Sequence, residues 1–211
     1  MKTSNTIFMM LLVITVYAND EKYVEQMGKQ IQNVYTAKTI EDLQTAVNAF
    51  DRIANAEKSK WEPYYYSAFG SIMMATRTKD ATKMDSYLDQ ALASVEKGKA
   101  LAPNESELIA MEGFVYMIRV TVDPASRGAQ YSGLAMQTFG KALAINPNNP
   151  RAMALMAQMQ FGTAQFFGSP TTEACGMATK ALALFENQKP ASPVAPAWGK
   201  EMVTGLLQSC K

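Results

Sequence analysis

Histidine is absent from the 211 residues, which removes the commonest general base and metal ligand. Only two cysteines are present, Cys175 and Cys210, and no CxxC or Cys/His spacing accompanies them, so zinc binding and catalytic thiol exchange are not expected. No glycine-rich phosphate loop, G-x-S-x-G elbow or acidic calcium loop occurs. Charge of one sign is also missing. With 20 Lys+Arg against 19 Asp+Glu and no basic cluster, the chain is unsuited to a phosphate backbone, and nucleic acid is not an expected partner. No strand-like alternation is evident. These absences predict no enzyme, no cofactor and no metal site. Glu105 and Glu107 are paired acids, but at a helix start the macrodipole accounts for them.

What remains is a helical vocabulary. Hydrophobic residues make up 48% of the chain, dominated by Ala and Met, with few β-branched runs after the first twenty positions. Residues 1–18 read as a cleaved leader: Lys2, an apolar run over Ile7–Val16, and a small-residue site at Ala18. That run is too short to span a bilayer, which needs ~20 apolar residues, so no stable membrane insertion is expected after cleavage. Without Lys2 the chain is formally neutral. Export, to a periplasm or beyond, implies an oxidising compartment, and the even cysteine count then predicts a Cys175–Cys210 disulfide. Two buried free thiols are the alternative.

The stretch Leu134–Met159, LAMQTFGKALAINPNNPRAMALMAQM, sets the architecture. Ala135, Phe139 and Ala142 share one helix face. Asn146 to Pro150 then stop that helix, and Pro150 suits the first turn of the next. Similar patterns predict helix pairs at about 20–58, 61–102, 105–146 and 149–188, with a capping helix over 197–209 after the proline-rich connector KPASPVAP. Loops are expected around Thr76–Lys83, Asp123–Gly128 and Gly168–Pro170. The tetrad Lys-Ala-Leu-Ala recurs at Lys99, Lys141 and Lys180, a period in the range of helical solenoids. Its Ala100, Ala142 and Ala181 are expected at close helix crossings, facing the small residues Gly70, Gly113 and Ala157.

KALAINPNNPRAMALMA, Lys141 to Ala157, resembles the inter-repeat junction of the tetratricopeptide-repeat (TPR) family. Ala135, Phe139, Ala142 and Pro147 match the family's second helix, and Gly113 and Tyr116 its first. The segment FDRIANAEKSKWEPYYYSAFG looks like exported repeat proteins of Bacteroidetes-type bacteria. The resemblance implies an all-α fold: a right-handed α-α superhelix, a TPR-like solenoid of antiparallel helix pairs in one domain over 19–211. It also implies a concave groove for a protein or peptide partner. Carried over by position, the groove residues are Tyr64, Ser67, Ser71 and Met74, then Glu107, Ala110, Phe114 and Met117, then Arg151, Ala154, Gln158 and Phe161. Packing between repeats is the competing role for Phe114, Met117 and Phe161. In the cluster Trp61–Tyr66, Tyr66 is assigned to the core, Tyr64 to the groove, and Tyr65 to either. The expected function is an exported scaffold or adaptor in the cell envelope. A self-associating structural module, hence a homo-oligomer, and a small-ligand carrier or enzyme are the alternatives.

Overall fold

The computed structural model describes residues 4–210, with side chains over 20–210. The expected leader over 1–18 falls on residues whose side chains lie outside the described set. Among the described residues there are nine α-helices and no strand: α1 (Ser4–Thr36), α2 (Ile40–Ala56), α3 (Glu62–Thr76), α4 (Ala81–Leu101), α5 (Ser106–Val122), α6 (Pro124–Ile145), α7 (Pro150–Phe166), α8 (Thr172–Asn187) and α9 (Lys200–Gln208). Each helix packs on its neighbours in sequence, and α5 also touches both α3 and α7, so the three form the inner layer of a TPR-like solenoid.

Local chemistry sets the boundaries. Thr39 and Asp42 form a capping box at the start of α2, reinforced by the amide of Lys38 donating to Asp42. These amide donors hold the Asp42 carboxyl below its usual range. Asn149 caps α7 by accepting from the Ala152 amide at 2.9 Å, and its own amide donates to Ser106 Oγ at 2.6 Å. One buried Asn thus closes a helix end and ties it to the preceding repeat.

Two expectations need correction. The stretch Asp123–Gly128 is not a loop: Asp123 caps α6 by accepting from the Ser126 amide, and Pro124 sits in the first turn, where its missing N–H costs nothing. Likewise α4 begins at Ala81, capped by Asp80. The length beyond a TPR unit therefore lies in the 21-residue α4 and the 22-residue α6, not in long loops.

The second correction concerns the repeat register. Ala142 and Ala181 are fully buried at helix crossings, but Ala100 faces water. Its expected place is taken by Gly98, where an added Cβ would lie 2.7 Å from Leu108 Cδ2. The aligned face is Ala91–Val95–Gly98 in α4, Ala135–Phe139–Ala142 in α6 and Ala174–Ala178–Ala181 in α8. Close approach is real at Gly113 too, where a Cβ would meet the Phe139 ring at 2.5 Å. The recurring tetrad signalled the architecture but was two residues out of phase in α4.

Candidate functional site

The inner layer is lined by aromatic side chains, and it is not empty. After α8 the chain runs through Pro190, Pro193 and Pro196, which preclude a continuing helix. This strap crosses the inner faces of α1, α3, α5 and α7. Tyr66 donates its hydroxyl to the Val194 carbonyl at 3.1 Å, and the Ala197 amide donates to Tyr35 Oη at 3.3 Å. The Trp198 indole lies against Phe69 (centroids 5.0 Å apart) and stacks on Phe114 (5.6 Å), while its N–H donates to Tyr65 Oη at 2.9 Å. Gly199 ends the strap with φ 109°, a conformation that favours glycine, and a Cβ there would fall 2.8 Å from Phe185.

Beneath the strap lies a buried ion pair. Arg151, 1% exposed, grips Glu107 through two bonds of 2.8 Å and donates a third to the Trp198 carbonyl at 3.3 Å. Burial opposes the guanidinium charge, but the Glu107 carboxylate overrides it and raises the Arg151 pKa. Burial, with Glu107 adding to it, pushes the Tyr65 hydroxyl well above its ordinary value, and burial does the same to Tyr66. Desolvation also raises the Glu105 carboxyl. Every strong polar group here is answered by another group of the same chain.

These contacts relocate the residues assigned to a partner groove. Arg151 is engaged by Glu107 and the Trp198 carbonyl, Glu107 by Arg151 and the Tyr65 hydroxyl, and Phe114 stacks on the strap. Ser67 turns away from the inner face, bonding to Asp51 at 2.8 Å and lying beside Ser94, while Ser71 bonds back to the Ser67 carbonyl. Met74, Met117 and Phe161 are buried, as is Ala110. Ala154 packs with Ala157, Ala178 and Ala181 under Val203 of α9. Tyr64 sits near Gly98 of α4, while Tyr65, left open between core and groove, and the core residue Tyr66 are both buried and both bond to the strap. Gln158 is half-buried, with its side-chain oxygen lacking a partner among the described residues. Tyr35, Phe69 and Trp198 were missed. Only the three prolines preceding Trp198 hinted at an extended segment.

The strap is held at its far end. Cys175 of α8 and Cys210 form the expected disulfide, tying α9 to α8 across a separation of 35 residues.

A second region has the opposite character. The buried stripe of α7 ends at Phe161, but the helix continues to Phe166. Its last turn is only partly covered, and the chain reverses at Gly168, φ 64°. Phe166 and Phe167 stand 78% and 71% exposed, their rings perpendicular with centroids 5.0 Å apart. Beside them is a partly open pocket of ≈ 270 Å³, walled by Met136 of α6, Gln160, Ala164 and Phe167 of the α7 end, and Pro170 and Ala174 beyond it. The Gln160 side-chain oxygen is buried without a hydrogen-bond partner among the described residues. No charged residue occurs from Ala152 to Thr172. Among the described residues no cluster of His, Cys, Asp or Glu could hold a metal ion.

Fold and inner layer together define a TPR-like helical repeat protein whose groove is occupied by its own chain. Among solved structures it is similar to the HusA haemophore from Porphyromonas gingivalis, with 28% identity, a TM-score of 0.80, and coverage of 90% of this chain and 92% of that one. It is also similar to a thermophilic TPR protein from Thermus thermophilus, at 14% identity and TM-score 0.53, covering 94% and 95%, a likeness of fold alone. No family model matches the chain, and no curated protein matches it.

Proposed function

We propose that this protein is an exported, non-catalytic carrier of an apolar planar ligand of the haem type. The observation that carries this reading is the likeness to a haemophore along nine-tenths of the chain, at 28% identity. The Cys175–Cys210 disulfide supports an oxidising compartment, hence export. The alternative, an adaptor gripping a peptide in the concave groove, is weakened because the strap already fills the surface it requires.

The residues present constrain how such a ligand is held. With no histidine and both cysteines in a disulfide, neither imidazole nor free thiolate is available to a haem iron. The macrocycle is then held through its faces and edges by aromatic, methionine and aliphatic side chains. Of the other haem ligands, the phenols of Tyr23, Tyr35, Tyr65 and Tyr66 are held protonated by burial, and a methionine thioether is a weak ligand to ferric iron, so iron should contribute little to affinity.

Titration of the full chain with ferric haem and with metal-free protoporphyrin, followed by absorbance and tryptophan quenching, tests the reading. Both should saturate at one site with affinities within about threefold of each other. No saturable change with either compound rejects the carrier reading.

A further inference from the structure

We infer that the turn between α7 and α8 is where the ligand is seated: the apolar edge of a planar conjugated ring enters the pocket between Met136 and Phe167, and Phe166 covers it from outside. This rests on the carrier reading and adds a location to it. Two adjacent phenylalanines this exposed are costly to keep on a surface, and large apolar exposure marks binding sites. They are not scattered, since Phe167 itself lines the pocket. The perpendicular rings offer two complementary contacts to a flat ligand, one face-on and one edge-on.

The size and polarity of the pocket narrow the occupant. At ≈ 270 Å³ it lies just below the usual range of ~300–1,000 Å³ for sites that enclose a drug-sized molecule, so it takes one side of a macrocycle rather than the whole. Its charged lining residue is Glu173, an acid. Carboxylates of the ligand find no cation there and stay in water, while the apolar edge goes in. The Gln160 side-chain oxygen, which has no partner among the described residues, belongs to the pocket lining and can accept from a bound group. Polarised C–H groups at the rim of a conjugated ring are weak donors to such an oxygen. The inner layer, by contrast, has its aromatic faces and hydrogen bonds already spent on Trp198 and the strap.

The test compares the full-length wild type with Phe166→Ala/Phe167→Ala, with Met136→Ala on the facing helix, and with Leu101→Ser/Ile145→Ser, which alters the other large exposed apolar residues among those described. Haem and metal-free protoporphyrin are the probes. The phenylalanine double variant should bind both ~tenfold or more weakly and Met136→Ala about threefold more weakly, with the Leu101/Ile145 control unchanged. Wild-type binding that survives both pocket variants overturns the site while leaving the carrier reading in place. A wild type that binds neither probe removes the carrier reading and the site together. Sedimentation with neutral phospholipid vesicles distinguishes one further outcome. If the phenylalanine double variant loses vesicle association but keeps porphyrin affinity, the turn is a membrane-contacting tip and the assignment is wrong.

Discussion

The inner layer and the α7–α8 turn are built from similar residue types and end in opposite states. Around Trp198, aromatic rings and polar groups satisfy one another, and a buried ion pair lies underneath. At the turn, two phenylalanines face water beside a pocket with an unanswered carbonyl. Aromatic content alone therefore did not distinguish an exposed surface from a core. What distinguishes them is whether another part of the chain arrives to cover them, and the strap covers only the first.

Mutations should separate the two regions by stability. Arg151→Ala leaves Glu107 buried without its partner and should have the largest effect, ~3–5 kcal/mol, read from urea unfolding. A loss below ~1 kcal/mol would mean that water already reaches the pair. Trp198→Ala should cost ~3 kcal/mol by removing the stacked indole, with the strap amides losing hydrogen-exchange protection. Reducing the Cys175–Cys210 bond should cost ~2–4 kcal/mol and loosen α9 before the inner helices. Phe166→Ala/Phe167→Ala should change stability by no more than ~0.5 kcal/mol, because the rings are solvated in the folded chain. A large loss there would show the turn to be structural.

Alkaline pH sharpens the same contrast. Tyr23, Tyr35, Tyr65 and Tyr66 all have folded-state pKa values raised, chiefly by burial, above the ordinary value of 10.0. The unfolded chain ionises these phenols from about pH 10, whereas the folded chain resists. Their contribution is therefore fully present below pH 10 and is lost as pH rises beyond it. Melting temperature followed between pH 8 and 11.5 should fall steeply above 10. Tyr66→Phe, which removes the bond to Val194 as well, should flatten that fall.

Helix ends were largely legible from sequence because they depend on adjacent residues: Thr39 with Asp42, Asn149 with Pro150, Gly168 with Pro170. The α6 start was misplaced: Asp123–Gly128 reads as a loop, although Asp123-Pro124 is a cap followed by a first-turn proline. The phase of α4 was lost because a repeated tetrad weighed more than Gly98, whose contact with Leu108 exists only after folding. The strap over the groove positions was hidden for a related reason. Periodicity reports which residues share a helix face; it carries no information on whether a segment 47 to 133 residues later in the chain will settle on that face. The turn was visible as a helix breaker, while the exposure of Phe166 and Phe167 depends on how α6 and the start of α8 pack beside it.

The crosslink between Cys175 and Cys210 has an operational consequence for the strap. Residues 189–191 are exposed, so an endoprotease can cut there without disturbing the inner layer. The severed tail would still be fastened through sulfur and pinned by Trp198. Such a nicked molecule should elute, melt and migrate as an intact one, and release its last twenty or so residues only when a thiol reagent and a denaturant are applied together.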